Sequence, residues 1–181
     1  MIIKNGAEMV CSFTGHRPRK LPFLSDETDE KYIRLKAVLK REIKKKIENG
    51  TDTFMSGMAL GIDMLAAKTV LELKEEYPSV KLVAVIPCED QGRWWKGNDA
   101  AEYKRILSLC DEKTVLSERY TPYCMHVRNK YLVEHAQSMI AVWDGSDGGT
   151  GNTVTLAKKK GVPVTVIDPV TFEADEPITF F

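Results

Sequence analysis

The residues best suited to chemistry in this 181-residue chain form a glycine-rich segment, DGSDGGTGNT, at residues 144–153. Glycines at this density expose backbone N–H groups, and the helix predicted to follow adds partial positive charge at its N-terminus. A purely structural turn would rarely need so many glycines. The segment therefore predicts a phosphate-binding loop made by Gly148, Gly149, Thr150, Gly151, Asn152 and Thr153.

A second loop of small residues, SGMALGID at residues 56–63, follows a short apolar run. It fits neither the G-x-G-x-x-G pattern nor a Walker A loop, but its N–H groups are placed to bind an anion. Ser56, Gly57 and Ala59 are predicted to form the wall opposite the phosphate loop, with Gly61 in the same site. Asp63 either caps the next helix or accepts hydrogen bonds from a ribose.

Two further segments bring basic side chains to the same region. In the run GHRP, Gly15 allows a tight turn, and Arg17 can hold a phosphate or carboxylate. His16 is either a general base or a hydrogen-bonded structural histidine. Arg128, followed by Asn129, is predicted to neutralise ligand charge, the alternative being an ordinary surface charge.

The loop PCEDQGRWW at residues 87–95 places two tryptophans beside an arginine. Such a group can stack on a base, so Trp95 is predicted to cover a base or close the pocket. The alternative is that one or both rings pack over the sheet edge or form a dimer contact.

Four of these motifs follow a predicted strand, and Arg128 lies in a predicted helix that leads into the fifth strand. Apolar runs without alternation are typical of strands covered on both faces, which favours a parallel sheet. Helical periodicity fills the intervals, so the order predicts a Rossmann-like, doubly wound α/β fold of three layers. Ligands bind such sheets at the carboxyl ends of the strands. The predicted strands are 9–14, 53–56, 80–87, 113–116, 138–143 and 162–167, and the predicted helices are 29–49, 61–77, 100–110, 122–137 and 151–160.

Composition narrows the class of protein. Hydrophobic residues make up 43% and charged residues 29%, and the length fits one domain. The 26 basic and 26 acidic residues cancel, which makes nucleic acid an unexpected partner. No apolar run is long enough to span a bilayer, so no membrane partner is expected. The four cysteines lack metal-site spacing and predict reduced thiols, hence a cytoplasmic protein without a metal.

The motifs resemble those of one superfamily. The segment at residues 56–63 is similar to the S-G-x-A-x-G-I-D signature of DprA/Smf proteins. Met-His-x-Arg at residues 125–128, with Gly-Gly-x-Gly at residues 148–151, is similar to the Lonely Guy (LOG) nucleotide phosphoribohydrolases. Both belong to the SLOG superfamily. The TGHRP run, the Gln91–Trp95 element, Tyr103 and the pair Cys110–Asp111 resemble its YpsA-like branch, so the resemblance covers about residues 9–168.

One departure bears on activity. LOG enzymes carry P-G-G-x-G-T-x-x-E, whereas here Asp147 replaces the proline, Asn152 the threonine, and Thr155 the catalytic glutamate. Loss of such a charge stabiliser can lower a rate by ~100-fold or more. The carboxylates that could substitute are Asp63, Asp144 and Glu134.

Three hypotheses follow. The first is a protein that binds a nucleotide or a derivative such as ADP-ribose or NAD as a sensor or regulator, with no required cofactor. The second is a nucleotide N-glycosidic hydrolase with a non-standard catalytic site. The third is DprA-like binding of single-stranded DNA. The family resemblance also implies a homo-oligomer.

Overall fold

The computed structural model describes residues 6–175 and 177, in which helices and strands alternate along the chain. A short 3₁₀ helix, Pro22–Ser25, precedes the first α-helix. The strands are β1 Val10–Gly15, β2 Thr53–Ser56, β3 Lys81–Ile86, β4 Glu112–Val115, β5 Ser138–Val142, β6 Val164–Ile167 and β7 Ala174–Asp175. The α-helices are α1 Glu30–Glu48, α2 Ile62–Leu73, α3 Gly97–Leu109, α4 Cys124–Glu134 and α5 Gly149–Lys159.

The strands form one sheet in the order β4-β3-β2-β1-β5-β6-β7. The first six strands of the chain are parallel, and β7 pairs antiparallel with β6. The chain therefore winds outward from β1 in two directions. The strand order reverses between β1 and β5, and ligands of doubly wound proteins bind at such a switch point. The fold prediction is confirmed.

The helices cover both faces of the sheet. On one face α1, α2 and α3 pack beside one another, and on the other α4 packs against α5. Successive strand residues supply the two faces in turn, since Leu82 belongs to the core under α1 and α2 while Val83 belongs to the core under α4. The rings of Phe13 and Phe54 stack in the larger core, with centroids 5.7 Å apart.

The longest helix, α1, follows directly from its sequence. The Asp29 side chain accepts a hydrogen bond from the Lys31 N–H and caps the first turn. Leu35, Leu39 and Ile43 recur at four-residue spacing and are fully buried, as the periodicity predicts.

Several element boundaries differ from those predicted. Helix α2 ends at Leu73 rather than at Tyr77, because the chain leaves the helix in turns before Pro78. Helices α3 and α5 begin at Gly97 and Gly149, earlier than predicted, since glycine is a weak sequence signal for a first helical turn. Strand β7 lies in the tail, for which the sequence made no clear prediction.

The four cysteines are free thiols, three of them buried and Cys110 half-buried. Among the residues that the structure describes, no helix has the length and apolar character needed to cross a membrane.

Replacing Phe54 with alanine is expected to lower the free energy of unfolding by about 3–5 kcal/mol, because the fully buried ring leaves a cavity at the centre of the sheet. Ile33→Ala is the control, since Ile33 is 56% exposed on α1 and should change stability by less than ~0.5 kcal/mol. Urea-induced unfolding followed by circular dichroism measures both. Equal losses would contradict the assignment of the core.

Candidate functional site

A cavity of about 280 Å³ opens at the carboxyl ends of β1 and β5, at the switch point of the sheet. Loops after both strands form it, together with the first turns of α2, α4 and α5. Its lining comprises Phe13, Thr14, Gly15, His16, Arg17, Lys20, Ala59, Asp63, Met125, Arg128, Asn129, Asp147, Gly148, Gly149, Thr150 and Gly151.

One wall of the cavity is the N-terminus of α5. Gly148 precedes the helix with φ +138°, a conformation that favours glycine. The N–H groups of Gly149, Thr150 and Gly151 lie in the first turn and have no acceptor within the helix. No other residue in the described part of the chain accepts from them. A Cβ at Gly149 would meet no atom within 4 Å, so there is open space beside this residue at the start of α5.

The floor of the cavity holds a buried ion pair between α4 and α2. Arg128 is only 4% exposed and donates from Nη1 to the Gly57 carbonyl oxygen at 2.6 Å. The same nitrogen lies 3.6 Å from Asp63 Oδ2. Burial lowers the pKa of Arg128 and raises that of Asp63, although each charge opposes the shift of the other.

The loop after β2 is built around this pair. Asp63 Oδ2 accepts from the Ala59 N–H at 3.3 Å, and Ser56 Oγ donates to the Asp63 carbonyl oxygen at 2.7 Å. Gly57 must lack a side chain, because a Cβ there would lie 2.1 Å from Arg128 Nη1. Asp63 is therefore the counter-ion of Arg128 and an acceptor for the loop before α2, and no side-chain cap hydrogen bond is present at the start of that helix.

A second, partly buried contact joins the loop after β1 to the loop after β5. His16, 7% exposed, places Nε2 2.8 Å from Asp144 Oδ1. Asp144 also accepts from the N–H of Ser146 at 3.1 Å and from its hydroxyl at 2.5 Å. These bonds, the Ser146 hydroxyl first, hold the pKa of Asp144 well below its ordinary value of 3.8, so its carboxylate stays ionised at neutral pH.

Two exposed cations flank the mouth of the cavity. Lys20 donates to Ser146 Oγ and lies 3.5 Å from Asp144 Oδ2. The Arg17 carbonyl oxygen accepts from the N–H groups of Lys20 and Leu21. Its guanidinium has no hydrogen bond or ion pair with any residue of the described ranges, yet its charge influences both Asp63 and Arg128. Arg17 is thus the cation with its donors available to an incoming anion.

Most of the predicted site residues line this cavity, and six do not. Ser56 and Gly57 lie behind the wall that Ala59 forms, and Gly61 lines a different cavity. Asn152 is exposed on α5. Thr153 is buried, and its Oγ1 donates to the Gly149 carbonyl oxygen at 2.8 Å.

Trp95, predicted to cover a base, also lies outside the cavity. Its ring packs edge-on against Tyr103, with centroids 5.0 Å apart, and close to Gly92, where a Cβ would approach it to 2.9 Å. The side chain is therefore held against α3 and the larger core.

The sequence did not single out five lining residues. Phe13 and Thr14 lie at the buried end of β1. The sequence pattern there indicates a strand and gives no sign that the two residues also line a cavity. Lys20 reaches back from a position five residues after the strand. Met125 and Asp147 stand within the recognised motifs, but neither residue type by itself indicates a ligand.

A larger cavity of about 430 Å³ lies beside the first, between α1, α2 and α3. Its one lysine is already paired, because Lys68 binds Glu27 and lies 3.6 Å from Glu102, and Asp99 adds a further negative charge to the lining. The smaller cavity is the better candidate site, since it holds unpaired N–H donors and an unpaired arginine. In the described part of the chain, no group of three His, Cys, Asp or Glu residues could hold a metal ion.

The sheet order and the cavity at its switch point are those of a Rossmann-like α/β protein. The model of the YspA SLOG family matches residues 11–170, and the chain belongs to that family. The resemblance to the SLOG superfamily and its YpsA-like branch is therefore confirmed.

Two curated bacterial relatives are similar over much of their length. The "Uncharacterized SPbeta prophage-derived protein YoqJ" of Bacillus subtilis (strain 168) is 33% identical over 118 residues, which cover 59% of this chain and 69% of that protein. A "UPF0398 protein" of Bacillus thuringiensis (strain Al Hakam) is 30% identical over 156 residues, which cover 84% of each.

Solved structures share the fold at low sequence identity. DNA processing protein A (DprA) of Streptococcus pneumoniae has a TM-score of 0.59 and 19% identity, covering 89% of this chain and 50% of that one. This chain thus spans about half the length of that DprA. The Helicobacter pylori DprA, described for its single-stranded DNA binding mode, gives 0.58 and 22%, covering 92% and 68%. The structure of TM1055 gives 0.52 and 20%, covering 86% and 72%.

Gly57→Ala is expected to destabilise the protein by about 3–5 kcal/mol, because the added Cβ displaces Arg128 and leaves Asp63 without its counter-ion. Gly149→Ala is the matched control, since its Cβ enters open space. Urea unfolding of both variants is the measurement. Equal stability would contradict a structural role for the ion pair.

Asp144→Asn should destabilise the protein most at neutral pH. The pKa of Asp144 is depressed in the folded state, so its stabilising contribution is complete above 3.8 and is lost as pH falls further. The difference in unfolding free energy between the variant and the wild type should therefore stay constant from pH 7 down to about pH 4 and shrink below that. Asp147→Asn, which alters a carboxylate without a hydrogen-bond partner in the described ranges, is the control. A difference that does not change with pH would contradict the assignment.

Proposed function

We propose that this protein binds a nucleotide or a nucleotide derivative such as ADP-ribose or NAD in the 280 Å³ cavity and acts as a sensor or regulator. The observation that carries the proposal is the N-terminus of α5, where three unpaired N–H groups face the cavity. Helix N-termini with exposed N–H groups are favourable sites for phosphate.

The charge around the cavity supports an anionic ligand. Arg17, Lys20 and Arg128 bring three positive charges to the lining, against Asp63 and Asp147. Asp63 already compensates the charge of Arg128. Arg17 and the N-terminus of α5 are therefore the groups that would contact phosphate. The proposal therefore assigns Arg17 to the ligand and Arg128 to the fold.

The other wall offers contacts suited to a sugar or base. Asn129 has an amide at the cavity and Met125 a thioether, while Asp63 retains a second carboxylate oxygen, Oδ1. A cavity of about 280 Å³ lies at the small end of ligand pockets. It would enclose the phosphate and sugar and leave the rest of a dinucleotide at the mouth.

The alternatives receive less support. For LOG-like hydrolysis of an N-glycosidic bond, Thr155 stands at the position of the catalytic glutamate, is exposed and does not line the cavity. Of the three carboxylates that could substitute, only Asp63 lines the cavity, and it is paired with Arg128. Binding of single-stranded DNA is described for the H. pylori DprA. The zero net charge of this chain gives no general attraction to a nucleic-acid backbone.

A thermal-shift screen against AMP, ADP, ATP, NAD and ADP-ribose tests the proposal. A ligand at one hundred times its Kd should stabilise the fold by ~2.7 kcal/mol and raise the Tm. Recovery of the intact ligand by chromatography would support a sensor. No shift with any of these compounds would overturn the proposal.

Gly149→Val is expected to weaken the binding of any ligand found by about tenfold or more, because the new side chain fills the space in front of the α5 N–H groups. Thr155→Val places the same side chain on the exposed face of that helix and should leave affinity unchanged. Isothermal titration calorimetry measures both. Equal affinities would remove the helix N-terminus from the site.

A further inference from the structure

We infer that His16 and Asp144 form a general-base pair, and that it hydrolyses a phosphoanhydride bond of a nucleoside diphosphate held at the α5 N-terminus. The inference rests on the proposed nucleotide site and adds an activity to it. It concerns a contact between β1 and the loop after β5 that nucleotide binding alone does not require.

The pair has a defined orientation. A ring nitrogen 2.8 Å from an ionised carboxylate oxygen must carry a proton, so Nε2 of His16 is the donor to Asp144. Asp144 is fixed in turn by the Ser146 hydroxyl and N–H and by Lys20 at 3.5 Å. A carboxylate held this way fixes the tautomer of its histidine and stabilises the imidazolium that forms on proton uptake.

The other ring nitrogen is available. The contacts of the His16 ring in the described ranges are both at Nε2. One is the 2.8 Å contact with Asp144 Oδ1, and the other is a long 3.4 Å approach of the Asp144 N–H, which a protonated Nε2 does not accept. Nδ1 has no hydrogen-bond partner in the described ranges. It is not one of the unpartnered side-chain atoms that are buried away from solvent, and His16 lines the cavity. With Nε2 protonated, Nδ1 of the neutral ring carries a lone pair that can accept a proton from water.

The lining favours attack at phosphorus. The α5 N–H groups and Arg17 would stabilise charge on the non-bridging oxygens of a phosphoryl group. Asp63 Oδ2 is committed to Arg128 and to the Ala59 N–H, so the charge of this carboxylate is already compensated even though Oδ1 can still accept a hydrogen bond. Thr155 is outside the cavity, so neither residue supplies an uncompensated negative charge for an oxocarbenium ion. A phosphoanhydride suits a site with one general base, because a phosphate leaving group departs without needing a proton.

The step balances as a hydrolysis. The oxygen of a water molecule forms a bond to phosphorus as His16 Nδ1 takes one of its protons. The bridging P–O bond breaks, and its electron pair leaves with the departing phosphate. The imidazolium then returns the proton to solvent or product, and Asp144 remains ionised throughout. For ADP the products are AMP and inorganic phosphate.

Incubation of the protein with ADP in oxygen-18 water, in a magnesium-containing buffer, tests the inference. We expect AMP and phosphate, with one heavy oxygen in one of the two products. If ADP raises the Tm but is recovered intact, or if free adenine is released instead, the inference is wrong while nucleotide binding stands. If ADP neither shifts the Tm nor reacts, the inference is wrong, and the proposed nucleotide site fails with it only if AMP, ATP, NAD and ADP-ribose also leave the Tm unchanged.

Variants identify the residues. His16→Ala should lower kcat by ~100-fold or more, as expected for loss of a general base, and added imidazole should restore part of the rate. Asp144→Asn should lower kcat with little change in KM, since Asp144 is a positioning residue. His135→Gln, on the exposed end of α4 where the ring stacks on Tyr131, is the control for histidine loss. Turnover that survives His16→Ala would overturn the inference.

Discussion

Taking a guanidinium out of water costs several kcal/mol unless its charge and its N–H groups are both satisfied. Arg128 meets this requirement with partners on other elements, the Gly57 carbonyl oxygen and the Asp63 carboxylate. It lies on α4, whereas they belong to the segment from β2 into α2, on the opposite face of the sheet. One buried cation therefore holds the two helical layers together at the cavity, and the shape of the site depends on it.

This arrangement separates support from binding among residues of the same type. Arg128 is enclosed by the chain, so its charge is largely spent before a ligand arrives. Arg17 lies two residues after the end of β1. Its guanidinium has no partner among the described residues and remains available to bind an anion in the cavity. The same division holds for the carboxylates, since Asp63 neutralises Arg128 and Asp144 orients His16. Residue type alone does not reveal such roles.

Local pattern was enough to predict the doubly wound fold and the glycine loops, because strand hydrophobicity and helix periodicity are properties of neighbouring residues. The contacts that define the site are not local. His16 and Asp144 are 128 residues apart, and Arg128 and Gly57 are 71 apart. Trp95 shows that local sequence does not determine which ring a tryptophan contacts. A tryptophan in this loop is suited both to stacking on a base and to packing on Tyr103, and in the structure it packs on Tyr103. The first residues of α3 and α5 lie earlier in the chain than the sequence predicts. Glycine is a poor helix former, so a helix that begins at a glycine is hard to recognise from sequence.

The position of β1 in the middle of the sheet has a consequence for synthesis on the ribosome. Its first neighbour, β2, follows within a short stretch of chain, but its second, β5, is translated more than a hundred residues later. Until then one edge of β1 is uncovered, Asp63 has no counter-ion and His16 has no carboxylate. A nascent chain that ends before α4 can thus build the layer of α1, α2 and α3 but not the cavity. Unpaired strand edges of this kind can pair with the wrong strand or with another chain. The nascent chain is therefore most prone to aggregate in the interval before β5 emerges.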